Sequence, residues 1–295
     1  MKRIIESKQG ASKEVLIILV GSLHGNEIEG VEAIKRTFAR LATVEPELKG
    51  KLVGIAGNLA AIKANKRFID HDLNRCWTQE YIKKITQSPK DSLKNEDKEL
   101  VLLYELINQL LSEDYDQKYI IDLHTTSADN GNFLVYPGIV NEQTIAKKLG
   151  LPMITNLDDF LEGTTLLKYY SSDEIISFAF EGGQIGSPKA IDIHAEGIWQ
   201  MLKLSGLIDT DDEISTLIDP SVDLPSLVKV KHRHGVKVGD NFCMKEGFES
   251  FQAVSKGELL AEDKNGDIHC PEDGMIFMPL YQAAGDDGFF IVEEI

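Results

Sequence analysis

Positive charge is what this chain lacks most. Its 31 lysines and arginines face 48 aspartates and glutamates, giving a formal net charge of −17 and a pI near 4.8. A nucleic-acid partner needs a basic face for phosphates, and docking on anionic lipid needs one too, so neither is expected. A small substrate is not excluded, because a pocket can be positive inside an acidic whole. Cysteine is also scarce. Cys76, Cys243 and Cys270 are odd in number, widely spaced and form no CxxC pair, which argues against a disulfide framework. Long apolar runs are missing: the longest, VLIILV, is far too short to span a bilayer. The opening MKRIIESKQGASK has no apolar core of a signal peptide, so a cytoplasmic protein is the expectation. There is no internal repeat and no low-complexity segment.

At 295 residues, 42% hydrophobic and 27% charged, the chain reads as an ordinary globular protein with one large domain, or a large one and a small one. Val15 to Val20 is a continuous β-rich run, as in a strand buried on both faces. After it, Ile28, Val31, Ile34, Phe38 and Leu41 recur at helical spacing. Further strands are predicted at 51–57, 119–123, 133–137 and 177–183, and helices at 96–113 and 189–206. Strands alternating with helices predict an α/β wound sheet with helices on its faces. Beyond about residue 212 the texture changes to short alternating runs separated by Gly, Asp and Asn. We therefore expect a catalytic domain over 1–212 and a smaller β-rich domain over 213–295.

Four stretches carry residues suited to chemistry. His24 and Glu27 in HGNE, and His124 in DLHTT, each follow a predicted buried strand, where wound sheets place their ligands. Two imidazoles and a carboxylate suit a catalytic zinc with a fourth position for water. Alone, HGNE is more simply a helix start favoured by the dipole, and DLHTT a strand end whose histidine caps a loop. In RFIDHDLNR (67–75), arginine and asparagine can hold a carboxylate, and a second arginine can neutralise an oxyanion; a surface loop of charge pairs is the plainer alternative. In AFEGGQIG, Glu181 beside a zinc-activated water would be a general base, or else a simple cap.

Taken together and in order, HGNE, RFIDHDLNR, DLHTT and the glutamate of FEGG resemble the succinylglutamate desuccinylase/aspartoacylase family, a branch of the zinc-carboxypeptidase-like hydrolases. The resemblance covers roughly residues 15–190, with the C-terminal part fitting loosely as a β-rich extension over the active site. It implies a mixed wound sheet with helices on both faces, one zinc ion per chain, and hydrolysis of the amide bond of a small-molecule N-acyl amino acid. It also implies roles: His24, Glu27 and His124 as zinc ligands, Glu181 as general base and then proton donor, and Arg67 polarising the scissile carbonyl. Asn74 and Arg75 would hold the amino-acid carboxylate, and Asp72 would orient the first zinc histidine. One departure bears on substrate. Aspartoacylases proper carry an arginine just after a Thr-Thr pair; here Thr164-Thr165 is followed by Leu166, with Lys168 as the nearest replacement. Tyr281 is the candidate lid tyrosine.

A zinc carboxypeptidase or peptide amidase, and a non-catalytic zinc-fold binding protein, are the competing functions; a homo-oligomer is open. His71 is read as a loop histidine, and His232 and His234 as part of an exposed basic strand without acidic or thiol company. Cys76 follows Arg75 but has no histidine partner for a nucleophilic role. Glu29 is expected on the solvent face of its helix.

Overall fold

The computed structural model describes residues 1–127, 131–137, 147–211, 213, 217, 223–281 and 285–295. Its first part runs β1 (Ile4–Gln9), β2 (Val15–Gly21), α1 (Glu29–Val44), β3 (Gly50–Ala56), α2 (Leu59–Ala64), α3 (Gln79–Thr86), α4 (Asn95–Leu111), β4 (Gln117–Thr126), β5 (Asn132–Val135), β6 (Met153–Thr155), α5 (Leu166–Tyr170), β7 (Ile175–Gln184) and α6 (Pro188–Leu204). The rest is strand: β8 (Leu227–Gly235), β9 (Cys243–Met244), β10 (Ala253–Val254), β11 (Leu259–Asp263), β12 (Gly266–His269), β13 (Gly274–Phe277) and β14 (Asp287–Glu294). Eleven strands form one mixed sheet in the order β1-β3-β2-β4-β7-β5-β6-β8-β14-β13-β10, and β12-β11-β9 form a small antiparallel sheet. At the heart of the large sheet β3, β2, β4 and β7 run parallel.

The apolar run at Val15 is explained by its two covered faces. Ile17 and Leu19 pack with Ala33, Ile34 and Phe38 of α1 and with Trp199 and Leu202 of α6. Leu16, Ile18 and Val20 point the other way, into a cluster with Ile82 and Ile85 of α3 and Leu100, Leu103 and Ile107 of α4. A strand whose side chains alternate between two helical layers must be apolar at every position. The fold is thus the expected mixed α/β sheet with helices on both faces.

Several features depart from the sequence expectation. Strand β1 was hidden in the half-polar IIESKQ, which pairs antiparallel with β3 at the sheet edge and stays largely exposed. Strand β4 runs on past its expected end, so His124 sits inside a strand rather than after it, while Glu181 lies within β7 as expected. The C-terminal strands also extend the large sheet. Strand β6 pairs in parallel with β8, and β8 pairs antiparallel with β14, so hydrogen bonding continues from the first part of the chain into the second. Only β9, β11 and β12 form a sheet of their own, next to a core of Leu260, Ile276, Phe289 and Ile291. Residue 212 lies outside the described residues, and the division into 1–212 and 213–295 stands as a proposal. Among the described residues no helix is long and apolar enough to cross a membrane.

Candidate metal centre and active site

The turn after β2 is held tightly. Ser22 Oγ donates to the Glu27 carbonyl at 2.7 Å, and the Glu27 amide donates to the His24 carbonyl at 3.0 Å. Gly25 sits so close to α2 that a Cβ there would lie 2.2 Å from the carbonyl carbon of Ala61, so only glycine fits. This local packing turns both functional side chains to one point: His24 Nδ1 lies 2.8 Å from Glu27 Oε1. From β4, His124 Nδ1 comes within 3.1 Å of Glu27 Oε2, and the two imidazole centroids are 5.0 Å apart. All three residues are buried, and each offers a ligand atom within 4.8 Å of the others. Among the described residues this is the one His/Cys/Asp/Glu group of that kind.

The opposite edge of each ring meets another carboxylate. His24 Nε2 is 3.3 Å from Asp72 Oδ1, and His124 Nε2 is 2.7 Å from Asp122 Oδ2. The tautomer that donates Nε2–H outward leaves both Nδ1 lone pairs on the Glu27 side, as metal-binding histidines require. The electrostatics agree. Burial alone would raise the Glu27 carboxyl, but His24 and His124 override it and hold it well below the usual range. Burial would lower His124, but Asp122 and Glu27 raise it well above its ordinary value. A buried carboxylate between two rings oriented by carboxylates is a donor set that fits a divalent cation such as zinc.

Asp122 was not singled out in the sequence, although the signal was there: in D-L-H, residues two apart on a strand share a face. Asp122→Asn should weaken zinc affinity about 10- to 100-fold, the usual cost of losing a group that orients a metal-binding histidine. Competition against a chromogenic chelator measures this, and an unchanged affinity would deny Asp122 that role.

Glu181 enters from the neighbouring strand. In the β4–β7 ladder it pairs directly with His124, which puts its side chain beside the cluster. Burial, Glu27 and Asp122 push its carboxyl up to about 8, against the opposing pull of His124 and Arg67. Its Oε2 is buried without a hydrogen-bond partner among the described residues. Behind these strands, His194 of α6 lies with Nε2 2.9 Å from the His124 carbonyl. Gly182 leaves room for that ring; a Cβ there would lie 2.7 Å from it.

The 67–75 loop is pinned from behind. Glu96, in the first turn of α4, accepts from the Ile69 and Asp70 amides at 2.7 and 2.9 Å and from Asn58 Nδ2 at 3.0 Å. This acid at the start of a helix thus satisfies loop backbone. Asp72 caps the one-turn 3₁₀ segment Leu73–Arg75, accepting from the Asn74 amide at 2.8 Å while it faces His24. Arg67 reaches Glu27 at 3.4 Å and Asp72 at 3.2 Å. Arg75 donates to the Asn74 carbonyl and to Asp287 of β14, and Asp287 also accepts from Arg233. Asn74 Oδ1 accepts from the Leu166 amide.

His24, Glu27, Arg67, Asn74, Arg75, His124 and Glu181 therefore line one cavity, open to solvent at its mouth. Asp72 stands behind it. Two other candidates are not brought to its wall. Lys168 sits on the short helix α5 capped by Thr165, and its Nζ donates to the Pro137 carbonyl. The Tyr281 hydroxyl is tied to the backbone of Lys245 and Phe248. His71 pairs with Asp97 instead. His232 and His234 are partly buried rather than exposed, because His234 stacks on Phe289 with an interplanar angle of 7°. The Cys76 thiol is pushed up to about 11 by burial and by Asp72, which leaves it protonated and unreactive at neutral pH. Glu29 corrects the expectation for it: it is buried, and its Oε1 accepts from the Gly186 amide at 2.7 Å, tying α1 to the turn after β7.

Comparison with known proteins bears on this arrangement. The family model for the succinylglutamate desuccinylase/aspartoacylase catalytic domain matches residues 13–204. A succinylglutamate desuccinylase of Pseudoalteromonas atlantica is 23% identical over 290 residues, covering 92% of this chain and 78% of that one. A probable aspartoacylase of Prochlorococcus marinus (strain AS9601) is 26% identical over 286 residues, covering 90% and 87%. In structure, the chain is similar to a succinylglutamate desuccinylase from Vibrio parahaemolyticus, with a TM-score of 0.69 at 14% identity over 96% of this chain and 82% of that one.

Proposed function

The chain belongs to the succinylglutamate desuccinylase/aspartoacylase family, and from that premise we propose that it is a zinc-dependent deacylase that hydrolyses the amide bond of an N-acyl amino acid. The observation that carries the proposal is the pairing of Glu181 with His124 across β4 and β7. It sets an unpartnered carboxyl beside a His–Glu–His donor set in one cavity.

We assign His24, Glu27 and His124 to hold one ion, which supplies Lewis-acid polarisation and acidifies a water. Asp72 and Asp122 keep the two rings in the binding tautomer. Glu181 Oε2, held ionised once the cation's charge lies beside it, would take the proton of the attacking water and deliver it to the leaving nitrogen. The Arg67 guanidinium donates to the acyl oxygen as negative charge develops there. Asn74 Nδ2 and Arg75 hold the amino-acid carboxylate; Arg75 uses two of its five N–H groups on Asn74 and Asp287, leaving others for the substrate. The three free cysteines fit a reducing compartment, and we place the protein in the cytoplasm.

A screen of N-acetyl and N-succinyl amino acids, with metal analysis on the same sample, tests this reading. The expected result is hydrolysis with about one zinc per chain, lost on chelation and restored by zinc. Stoichiometric zinc without hydrolysis of any member of the panel would leave a binding protein in its place.

A further inference from the structure

Among the described residues two arginines line the cavity, and both are engaged: Arg67 with Glu27 and Asp72, and Arg75 with Asp287. The Lys168 ammonium is turned to the Pro137 carbonyl. The wall nevertheless carries a further acid, Asp158, set beside Leu157, Leu161 and Leu167. Its one hydrogen bond among the described residues comes from Thr165 Oγ1, at 2.7 Å to Oδ1. Burial raises this carboxyl, although Lys168 and Arg75 pull the other way from beyond ion-pair contact. It is a partly desolvated acid with no ion pair among the described residues, and Leu157, Leu161 and Leu167 line the cavity with it.

Its place relative to the substrate follows from how its segment docks. The Thr164 amide donates to the Arg75 carbonyl at 3.0 Å, and the Leu166 amide donates to Asn74 Oδ1 at 2.9 Å. Thr165, which holds Asp158, lies between those two contacts. A substrate with its α-carboxylate at Asn74 and Arg75 must extend its acyl carbonyl to the His24–Glu27–His124 cluster. The amino-acid side chain leaves the same α-carbon as that carboxylate, which puts it next to the Thr165 segment and Asp158.

We infer that Asp158 selects N-acyl amino acids whose side chain is an aliphatic stem ending in an ammonium group, with Leu157, Leu161 and Leu167 covering the stem. This rests on the deacylase reading given above. A side-chain carboxylate would meet Asp158 with like charge and find no unengaged cation on the described wall. A neutral chain would leave the acid desolvated and unpaired. An ammonium completes a charge-assisted hydrogen bond and buries its methylenes.

The zinc-loaded full chain can be titrated by calorimetry with L-ornithine and L-norleucine, which differ by an ammonium in place of a methyl group. Ornithine is expected to bind at least about tenfold more tightly, the usual scale of a hydrogen bond to a charged group. In Asp158→Asn the ratio should fall to near one. Equal binding of the two ligands by the wild-type chain overturns the inference without any variant. So does a tenfold preference that survives in Asp158→Asn, or no measurable ornithine binding at millimolar concentration. Turnover of Nα-acetyl-L-ornithine and Nα-acetyl-L-norleucine is read separately. The deacylase reading stands or falls on the wider acyl panel given above, while the binding ratio alone decides the role of Asp158.

Discussion

Glu181→Gln keeps its zinc and loses turnover by about 10²- to 10⁴-fold, the usual range for removing a general acid–base group. The substitution preserves size and one hydrogen-bonding oxygen but cannot accept a proton. Glu181 comes from β7, outside the set of three ligand atoms lying within 4.8 Å of one another, so metal content should not follow its charge. Its buried Oε2 has no hydrogen-bond partner to lose, which limits the damage to folding. Steady-state kinetics and elemental analysis on the same preparation measure both quantities. A near-normal kcat would remove Glu181 from the chemistry, and a parallel loss of zinc would make it part of the metal shell.

His24→Ala has the second large effect: affinity for zinc should fall by more than the roughly 10- to 100-fold cost of losing an orienting group. Two donors then remain, and two acids lose the ring between them. His24 is a leading reason that Glu27 and Asp72 stay ionised in a buried place, so its removal also leaves buried negative charge uncompensated. A lower melting temperature should accompany the metal loss. Full zinc occupancy after dialysis against a competing chelator would move the metal site elsewhere. Asp122→Asn, with its ring and ligand atoms intact, should fall between this variant and the wild type.

Local pattern made the centre of the fold legible. The unbroken apolar run of β2 and the helical spacing of α1 are properties of neighbouring residues, and so are HGNE and DLHTT. What stayed hidden depends on distant partners. IIESKQ looks too polar for a strand because it lies at an edge, with water on much of its surface. The continuation of the sheet from β6 into β8 joins segments that share no sequence pattern. Glu29 was expected on a solvent face, and Glu96 is one more acid at the start of a helix. Only the tertiary structure shows that one serves the Gly186 amide and the other the loop at Ile69 and Asp70. Lys168 was the nearest cation in sequence to the missing arginine, yet nearness along the chain did not place it on the cavity wall. His194 carried no sequence signal, since a buried histidine that meets carbonyl groups looks like any other helical histidine.

The grip of Glu96 on the 67–75 loop has a thermodynamic consequence. Arg67, Asp72, Asn74 and Arg75 all ride on a segment whose backbone amides are fastened to helix α4. A mobile loop of this kind would have to be ordered afresh at each encounter with a ligand, at an entropic cost for every residue immobilised. Here that ordering is settled once, when the chain folds. Ligand capture should therefore be nearly rigid, with affinity set by contacts and desolvation. A cut in the Glu96 anchor should surface first as weaker ground-state binding, with the chemistry of the bound complex little changed.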